Sequence, residues 1–171
     1  MKKETQAQQL DHGFGPLYSD HSRILILGSF PSVKSREASF YYGHPQNRFW
    51  KLLAALMDAP VPATIEEKKV FLLMHHIAVW DVIASCDIIG SSDSSISNVV
   101  PTDLSEVLMN APIRQIYANG ATAAKLYHKY QEKLTGREII TLPSTSPANA
   151  AFTMDRLIEK WKCILMKDNE D

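Results

Sequence analysis

The residues best suited to chemistry lie in the first third of the sequence, in a loop that begins at Gly28. Small residues, hydroxyls and a proline follow this glycine, and main-chain N–H groups in such a turn can hold an anion or the polar edge of a ring. Ser29 and Phe30 are therefore candidates for binding a planar polar ligand. An ordinary connection between a strand and a helix is the structural alternative, which this segment alone does not exclude.

Aromatic residues at positions 40–42 form the second feature of this loop, directly before a Gly-His-Pro run. Tyr42 is interpreted as a stacking surface for a base, an interaction of about 1–3 kcal/mol per base. Packing against the edge of the core is the other explanation for these rings. Asn47 follows, and it suits either the N-cap of a helix or an amide that binds a substrate or a water molecule.

Basic residues are concentrated in the same stretch, although the whole chain has a net charge of -1. Four of them lie there against one acid: Lys34, Arg36, Arg48 and Lys51, against Glu37. This local excess predicts phosphate contacts by Lys34 and Arg48, with the hydroxyls of Ser32 and Ser35 beside them. A solvated charged surface explains the same pattern.

A second polar loop, Ser-Thr-Ser-Pro-Ala-Asn, covers residues 144–149. Ser146 followed by Pro147 is typical of a helix start, with serine as N-cap and proline in the first turn. A helix N-terminus is also a favourable place for a phosphate. We therefore expect contacts to a phosphate backbone from four side chains: Ser144, Thr145, Ser146 and Asn149.

Apolar runs alternate with amphipathic segments along the chain, which predicts an α/β fold. The expected strands are 23–30, 77–83, 113–118 and 138–142, and the expected helices are 47–57, 64–75, 102–110, 121–134 and 147–166. This pattern predicts a three-layer α/β/α sandwich around a four-stranded, mostly parallel sheet in one domain, 1–171, with 1–22 as a tail or wrap. Ligands bind beyond the carboxyl ends of such strands.

Asp81 closes the second of these strands, and the carboxyl ends of parallel strands lie at one edge of the sheet. The carboxylate is interpreted as orienting a water molecule or a base in a catalytic role. Capping of the turn that follows is an equally good explanation.

Composition excludes several classes of protein. The chain has 171 residues with 45 % hydrophobic and 22 % charged side chains, which is a globular composition. Two cysteines and the spacing of the histidines predict no metal site and no cofactor. The chain carries neither a signal peptide nor an apolar stretch that would cross a membrane, so a cytoplasmic, nucleoid-associated monomer is expected.

The first loop resembles the uracil-DNA glycosylase superfamily, and within it the hypoxanthine-DNA (deoxyinosine) glycosylase group. That group shows a Gly-Ser-x-Pro strand end followed by Tyr-Tyr-x-His-Pro-x-Asn-x-Phe-Trp. The matching positions here are Gly28, Ser29, Pro31, Tyr41, Tyr42, His44, Pro45, Asn47, Phe49 and Trp50. The 144–149 loop is similar to the second motif of the group, and the resemblance covers about residues 22–165.

The resemblance implies a monofunctional glycosylase of base excision repair, which flips a deaminated base out of DNA and hydrolyses its N-glycosidic bond. Asn47 would hold the base or the attacking water, and the main chain at Ser29 and Phe30 would bind the base. Mismatch-specific uracil/thymine glycosylases carry an asparagine at the position of Phe30. This difference favours hypoxanthine as the substrate and leaves Asn47 as the replacement amide.

Of three alternatives to this interpretation, two stay open and one is disfavoured by the sequence. A uracil or mismatch-specific glycosylase and a catalytically silent DNA-binding module would share the same fold. A serine hydrolase is disfavoured because the chain lacks a Gly-x-Ser-x-Gly elbow.

Overall fold

The computed structural model describes residues 8–11, 14–30, 40–88 and 97–165. Its strands are β1 (Gln8–Asp11), β2 (Ile24–Gly28), β3 (Ile77–Asp81), β4 (Ile83–Ile88), β5 (Ser97–Pro101), β6 (Gln115–Asn119) and β7 (Ile139–Leu142). Its helices are α1 (Phe49–Met57), α2 (Ile65–Met74), α3 (Ser105–Asn110), α4 (Ala121–Tyr130), α5 (Glu132–Thr135) and α6 (Met154–Trp161).

The central sheet has the strand order β3-β2-β6-β7, and every pairing in it is parallel. This confirms the prediction of a four-stranded parallel sheet. Strand β2 is buried on both faces, as its continuous apolar run predicts. Ile24 and Ile26 belong to one core, and Leu25 and Leu27 belong to the other.

Helices cover both faces of the sheet. One core joins α1, α2 and α6, whose buried residues include Phe49, Leu72 and Trp161. The other core receives Val107 from α3 and Tyr127 from α4. The three-layer α/β/α sandwich is thus confirmed. None of the described helices is long and apolar enough to cross a bilayer.

A second, antiparallel sheet of order β1-β4-β5 was not predicted. Strand β1 lies in the segment interpreted as a tail, and β5 lies between positions 83 and 102, where no strand or helix was expected. These strands are short and polar, and they lack the alternation of apolar residues that marks a half-buried strand. They form because distant segments pair, as in the register Leu10 to Cys86.

Helix boundaries follow local capping more closely than the hydrophobic pattern. The helix expected over 64–75 starts with a capping box at Thr64 and Glu67, in which each residue is bonded to the main chain of the other. The predicted helix from 147 onward is wrong in its start: Pro147–Asn149 form a single 3₁₀ turn capped by Ser146. Helix α6 begins only at Met154, with Thr153 as its N-cap.

Replacing Thr64 by alanine removes the hydroxyl that accepts a hydrogen bond from the Glu67 main chain. We expect Thr64→Ala to lower the free energy of unfolding by about 1 kcal/mol. Thr64→Ser keeps the acceptor and serves as the control in the same urea titration. Equal stabilities of the two variants would contradict a role for the cap.

Candidate active site

Three adjacent strands end in residues that meet at one edge of the sheet. Gly28 closes β2, Asp81 closes β3 and Asn119 closes β6, and the order β3-β2-β6 makes these strands neighbours. The loop at 143–149 leaves the same edge after β7. This is the edge at which open parallel sheets bind their ligands.

Thr145 connects the first loop to the third strand end. Its main-chain N–H donates to Oδ1 of Asn119 at 3.1 Å, and its hydroxyl accepts from Nδ2 of the same side chain at 3.1 Å. That hydroxyl also bonds Oδ1 of Asn47 at 2.7 Å, and the Thr145 carbonyl accepts from the Arg48 main chain at 3.0 Å. Thr145 is completely buried. Its predicted contact with DNA stays a prediction, and each polar group of the residue already has a partner inside the protein.

The direction of these hydrogen bonds is fixed by two main-chain donors. The N–H of Phe49 donates to Asn47 at 3.0 Å, so the accepting atom of that amide is its oxygen. The N–H of Thr145 orients the Asn119 amide in the same way. The threonine hydroxyl accepts from Asn119, and its proton therefore goes to Asn47.

The amide of Asn47 consequently has both oxygen lone pairs occupied, while its Nδ2 donates to no residue in the described part of the chain. Its oxygen accepts from the first N–H of α1, at Phe49, but the N-cap position itself is occupied by Arg48, so Asn47 is not the N-cap residue. The free N–H groups leave the second role, that of a hydrogen-bond donor to a ligand, available to the same side chain.

Tyr42 lies over this edge with a left-handed main-chain conformation, φ 53°. Its ring stacks on Phe49 with centroids 3.9 Å apart. The hydroxyl is buried and has no hydrogen-bond partner among the described residues. Burial raises the pKa of this hydroxyl far above its usual value, the Asp81 charge raises it further, and the neighbouring Asn119 amide opposes both. Tyr42 therefore stays neutral at physiological pH.

The other two aromatics of the 40–42 run belong to the core. Phe40 and Tyr41 are both buried, and the Tyr41 hydroxyl donates to the Gly15 carbonyl at 2.7 Å. Phe40 stacks on Trp50. Packing against the core thus explains two of the three rings.

Gly28 allows a close approach that any larger residue would prevent. A Cβ atom added there would lie 2.5 Å from Oδ1 of Asp81 and 3.3 Å from the Tyr42 hydroxyl. The buried Asp81 carboxylate, which is only 3 % exposed, is therefore packed directly against the end of β2. A glycine at this strand end brings the polar ends of two strands together with Tyr42.

Arg48 holds the second loop in place. Its guanidinium donates to the carbonyls of Phe152, Ser146 and Asn149. Three of its N–H groups are thus used inside the protein. The predicted phosphate contact by Arg48 would have to compete with these carbonyls. This internal role was not expected from the sequence.

The polar side chains of the second loop also bond to the loop itself. Oγ of Ser144 accepts from the Ser146 main chain at 3.1 Å, and Nδ2 of Asn149 donates to the Ser144 carbonyl at 3.0 Å. Oγ of Ser146 accepts from Ala148. Contacts of Ser144, Ser146 and Asn149 with DNA stay predictions, and the loop that would make them is held by its own hydrogen bonds.

Some predicted site residues lie outside the described residues: Ser32, Lys34 and Ser35. Ser29 and Phe30 are half-buried at the end of β2, and Phe30 packs against the second core. The carbonyls of Gly28 and Ser29 accept from Val82 and Ile83, which fixes the turn after the strand.

Asn119 is the site residue that sequence reasoning did not select. It directly follows the expected strand 113–118 and precedes Gly120. The same observation that selected Asp81, a polar side chain at the carboxyl end of a parallel strand, would have selected it. Within the described residues, no group of histidine, cysteine and carboxylate side chains is arranged to hold a metal ion.

Comparison with known proteins agrees with this arrangement. The model of the uracil DNA glycosylase superfamily matches residues 16–165. A protein of Methanosarcina acetivorans named hypoxanthine DNA glycosylase is 35 % identical over 159 residues, which are 91 % of this chain and 98 % of that protein. One of Methanosarcina barkeri with the same name is 30 % identical over 80 % of this chain and 87 % of its own length.

A solved structure has the same architecture. It is a solution NMR structure from Methanosarcina acetivorans, described as a candidate uracil DNA glycosylase, with a TM-score of 0.78 and 33 % identity. The match covers 92 % of this chain and 96 % of that one. The fold is that of a DNA glycosylase. The chain belongs to the uracil DNA glycosylase superfamily.

Protein stability tests whether Arg48 has the internal role described above. Arg48→Lys keeps the charge but loses the planar fork that reaches several carbonyls, so we expect a loss of about 1–2 kcal/mol in the free energy of unfolding. Lys51→Gln, at an exposed position of α1, is the control and should stay within about 0.5 kcal/mol of the wild type. An unchanged stability of Arg48→Lys would contradict the structural role.

The hydroxyl of Tyr42, which has no partner among the described residues, leads to a second prediction on protein stability. Tyr42→Phe removes a buried polar group without an acceptor, so the free energy of unfolding should stay constant or rise by about 1 kcal/mol. Tyr42→Ala removes the ring from Phe49 and should cost about 2 kcal/mol or more. A clear loss of stability in Tyr42→Phe during urea unfolding would mean that the hydroxyl is bonded.

Proposed function

We propose that this protein is a monofunctional DNA glycosylase of base excision repair that removes hypoxanthine from DNA. The relatives named hypoxanthine DNA glycosylase span most of the chain at 30–35 % identity. The observation that carries the proposal is the fixed amide of Asn47, which offers N–H donors at the ligand-binding edge of the sheet.

The base must leave the stack before its glycosidic bond becomes accessible. Extrusion costs a few kcal/mol and costs less for a poorly paired, deaminated base. The Tyr42 ring supports the idea of a stacking surface, because Phe49 covers one of its faces and the residue is only half-buried. Stacking of the flipped base on the remaining surface would offset part of the cost.

Hydrolysis breaks the bond between C1′ and the base nitrogen, and the electron pair leaves with the base. Preorganised donors lower the barrier because they stabilise the negative charge that develops on the departing ring. We assign this role to Nδ2 of Asn47 and to the main-chain N–H groups at Ser29 and Phe30. The carbonyl of Asn47 is already saturated, so this side chain acts as a donor and does not accept a bond from the attacking water.

We assign the water to Asp81. Water supplies the new bond to C1′, and a buried carboxylate can accept a hydrogen bond from it and stabilise the positive charge on the sugar. The position of Asp81 against Gly28 and near the Tyr42 hydroxyl supports this assignment. The proton of the water passes to the carboxylate or to solvent, and the products are an abasic site and the free base.

DNA is the substrate that the family implies. The oligomeric state of the protein and its location in the cell are proposals. One flipped nucleotide occupies one site, so we propose that the protein acts as a monomer. We also propose that it works in the cytoplasm, in association with the nucleoid. Light scattering of the protein with and without a lesion-containing duplex tests the monomer.

A uracil-directed activity is the second candidate function. The superfamily model that matches the chain is named for uracil, and the solved relative is described in the same terms. The binding site at the carboxyl edge of the sheet would then have to accept a pyrimidine instead of a purine. A silent binding module is the outcome that would remain if no base were released.

Single-turnover cleavage of labelled duplexes with one inosine, uracil or xanthine tests the substrate. We expect abasic sites at inosine, revealed by alkali. Cleavage at uracil alone would replace hypoxanthine by the second candidate. Binding without release of any base would overturn the proposed function.

Asn47→Ala should lower the single-turnover rate about 10²–10³-fold, the usual cost of losing one transition-state donor. DNA affinity, measured by fluorescence anisotropy, should change little, because phosphate contacts supply most of it. Gln46→Ala, at an exposed neighbouring position, is the control. A wild-type rate in Asn47→Ala would remove this amide from the mechanism.

A further inference from the structure

We propose that Thr145 is a positioning residue for base excision, because its hydroxyl holds the amide of Asn47 in the orientation that presents N–H groups to the departing base. The inference rests on the proposed function, in which Asn47 contacts the base. Thr145 itself is completely buried and touches no substrate. It acts through the side chain that does.

The evidence is the continuous hydrogen-bonded chain from Asn119 through Thr145 to Asn47. The two links measure 3.1 Å and 2.7 Å, and both amides are oriented by main-chain donors. The chain therefore has a single direction of donation, ending at the oxygen of Asn47. Its far end is anchored on β6, a strand paired on both sides within the parallel sheet.

Removing the hydroxyl would leave Asn47 with the Phe49 N–H as the remaining described donor to its oxygen. One hydrogen bond does not fix the rotation of a short side chain as two bonds in different directions do. The amide plane would then be free to turn, and the N–H groups would leave the position of the base. Misplacement by about 1 Å is enough to reduce a reaction rate about 10²-fold.

The hydrogen bonds of Thr145 join parts of the chain that lie far apart in the sequence. Asn47 belongs to the first motif, Asn119 to the third strand of the sheet and Thr145 to the second motif. The Thr145 carbonyl also receives the Arg48 N–H, so the same residue holds the start of α1 against the second loop. A change at Thr145 is thus expected to appear in the rate of bond cleavage before it appears in DNA affinity.

The test compares Thr145→Val with Thr145→Ser in single-turnover cleavage of the inosine duplex. Valine keeps the shape and removes the hydroxyl, and we expect a rate about 10²-fold lower at nearly unchanged DNA affinity. Serine keeps the hydroxyl and should restore most of the rate. If Thr145→Ser were as slow as Thr145→Val, or if Thr145→Val were as fast as the wild type, the proposal would be overturned.

Thr135→Val is the matched control for the loss of a bonded hydroxyl. Oγ1 of Thr135 bonds Tyr127 and Arg137, and it precedes β7 at the opposite edge of the sheet. We expect this variant to lose stability and keep the cleavage rate. A rate as low as that of Thr145→Val would mean that destabilisation alone explains the effect.

A double variant separates this inference from the proposed function. If Thr145 acts through Asn47, then Asn47→Ala with Thr145→Val should be no slower than Asn47→Ala alone. Additive losses would overturn the positioning role. A wild-type rate in Asn47→Ala would instead disprove the proposed role of Asn47, and absence of cleavage by the wild type would disprove the proposed function.

Side-chain ¹⁵N relaxation on the wild-type protein covers the case in which Thr145→Val does not fold. An Asn47 amide held from two sides should have an order parameter near that of a rigid main chain, about 0.85. A value below about 0.6, typical of flexible groups, would overturn the proposal without any variant.

Discussion

The burial of polar groups at the carboxyl edge of the sheet is the constraint on which the site depends. A buried amide or hydroxyl without a partner costs about 1–3 kcal/mol, so each one must find a bond when water is removed. Thr145 satisfies its N–H, its carbonyl and its hydroxyl within one cluster. Because those partners come from two distant segments, at 47–48 and at 119, satisfying them also fixes both segments relative to the second loop.

The apolar side of the site follows from the same packing. Phe49 is completely buried at the start of α1, and its ring supports Tyr42 on one face and meets Trp161 edge-on. The indole of Trp161 donates to the Pro143 carbonyl, at the beginning of the second loop. The two loops are therefore joined in two ways: by the aromatic packing of Phe49 on Trp161 and by the hydrogen bonds of Thr145. A loop held in this way loses little conformational entropy when a ligand binds.

The sequence predicted the elements with strong hydrophobic patterns and failed where long-range pairing decides the structure. Strand β2 is a continuous apolar run, and its boundaries and burial follow from that run. Strands β4 and β5 are irregular, and their pairing includes register shifts that no local pattern encodes. The 3₁₀ turn at Pro147–Asn149 was mistaken for a helix because Ser-Pro capping is the same for both.

The candidate site also contains residues that could be selected from the sequence and residues whose contacts could not. Asn47, Asp81 and Tyr42 were selected because of residue type and place in the loops, and the structure brings them to one edge. Thr145 and Arg48 were assigned to the DNA surface, since a hydroxyl or a guanidinium in a polar loop is usually exposed. Their internal bonds connect residues about a hundred positions apart, and one sequence contains no signal for such pairs.

The nature of the donors suits the chemistry that the family performs. A cation that contacts the base would stabilise the anion that leaves, but it would also repel the positive charge that develops on the sugar. Neutral amide and main-chain donors stabilise the departing base without opposing the sugar, provided that their orientation is fixed before the bond breaks. In the proposed mechanism, the carboxylate of Asp81 complements these donors on the side of the sugar. Orientation, not charge, is then the quantity that the fold must control, and the buried hydrogen bonds around Thr145 are the means by which it does so.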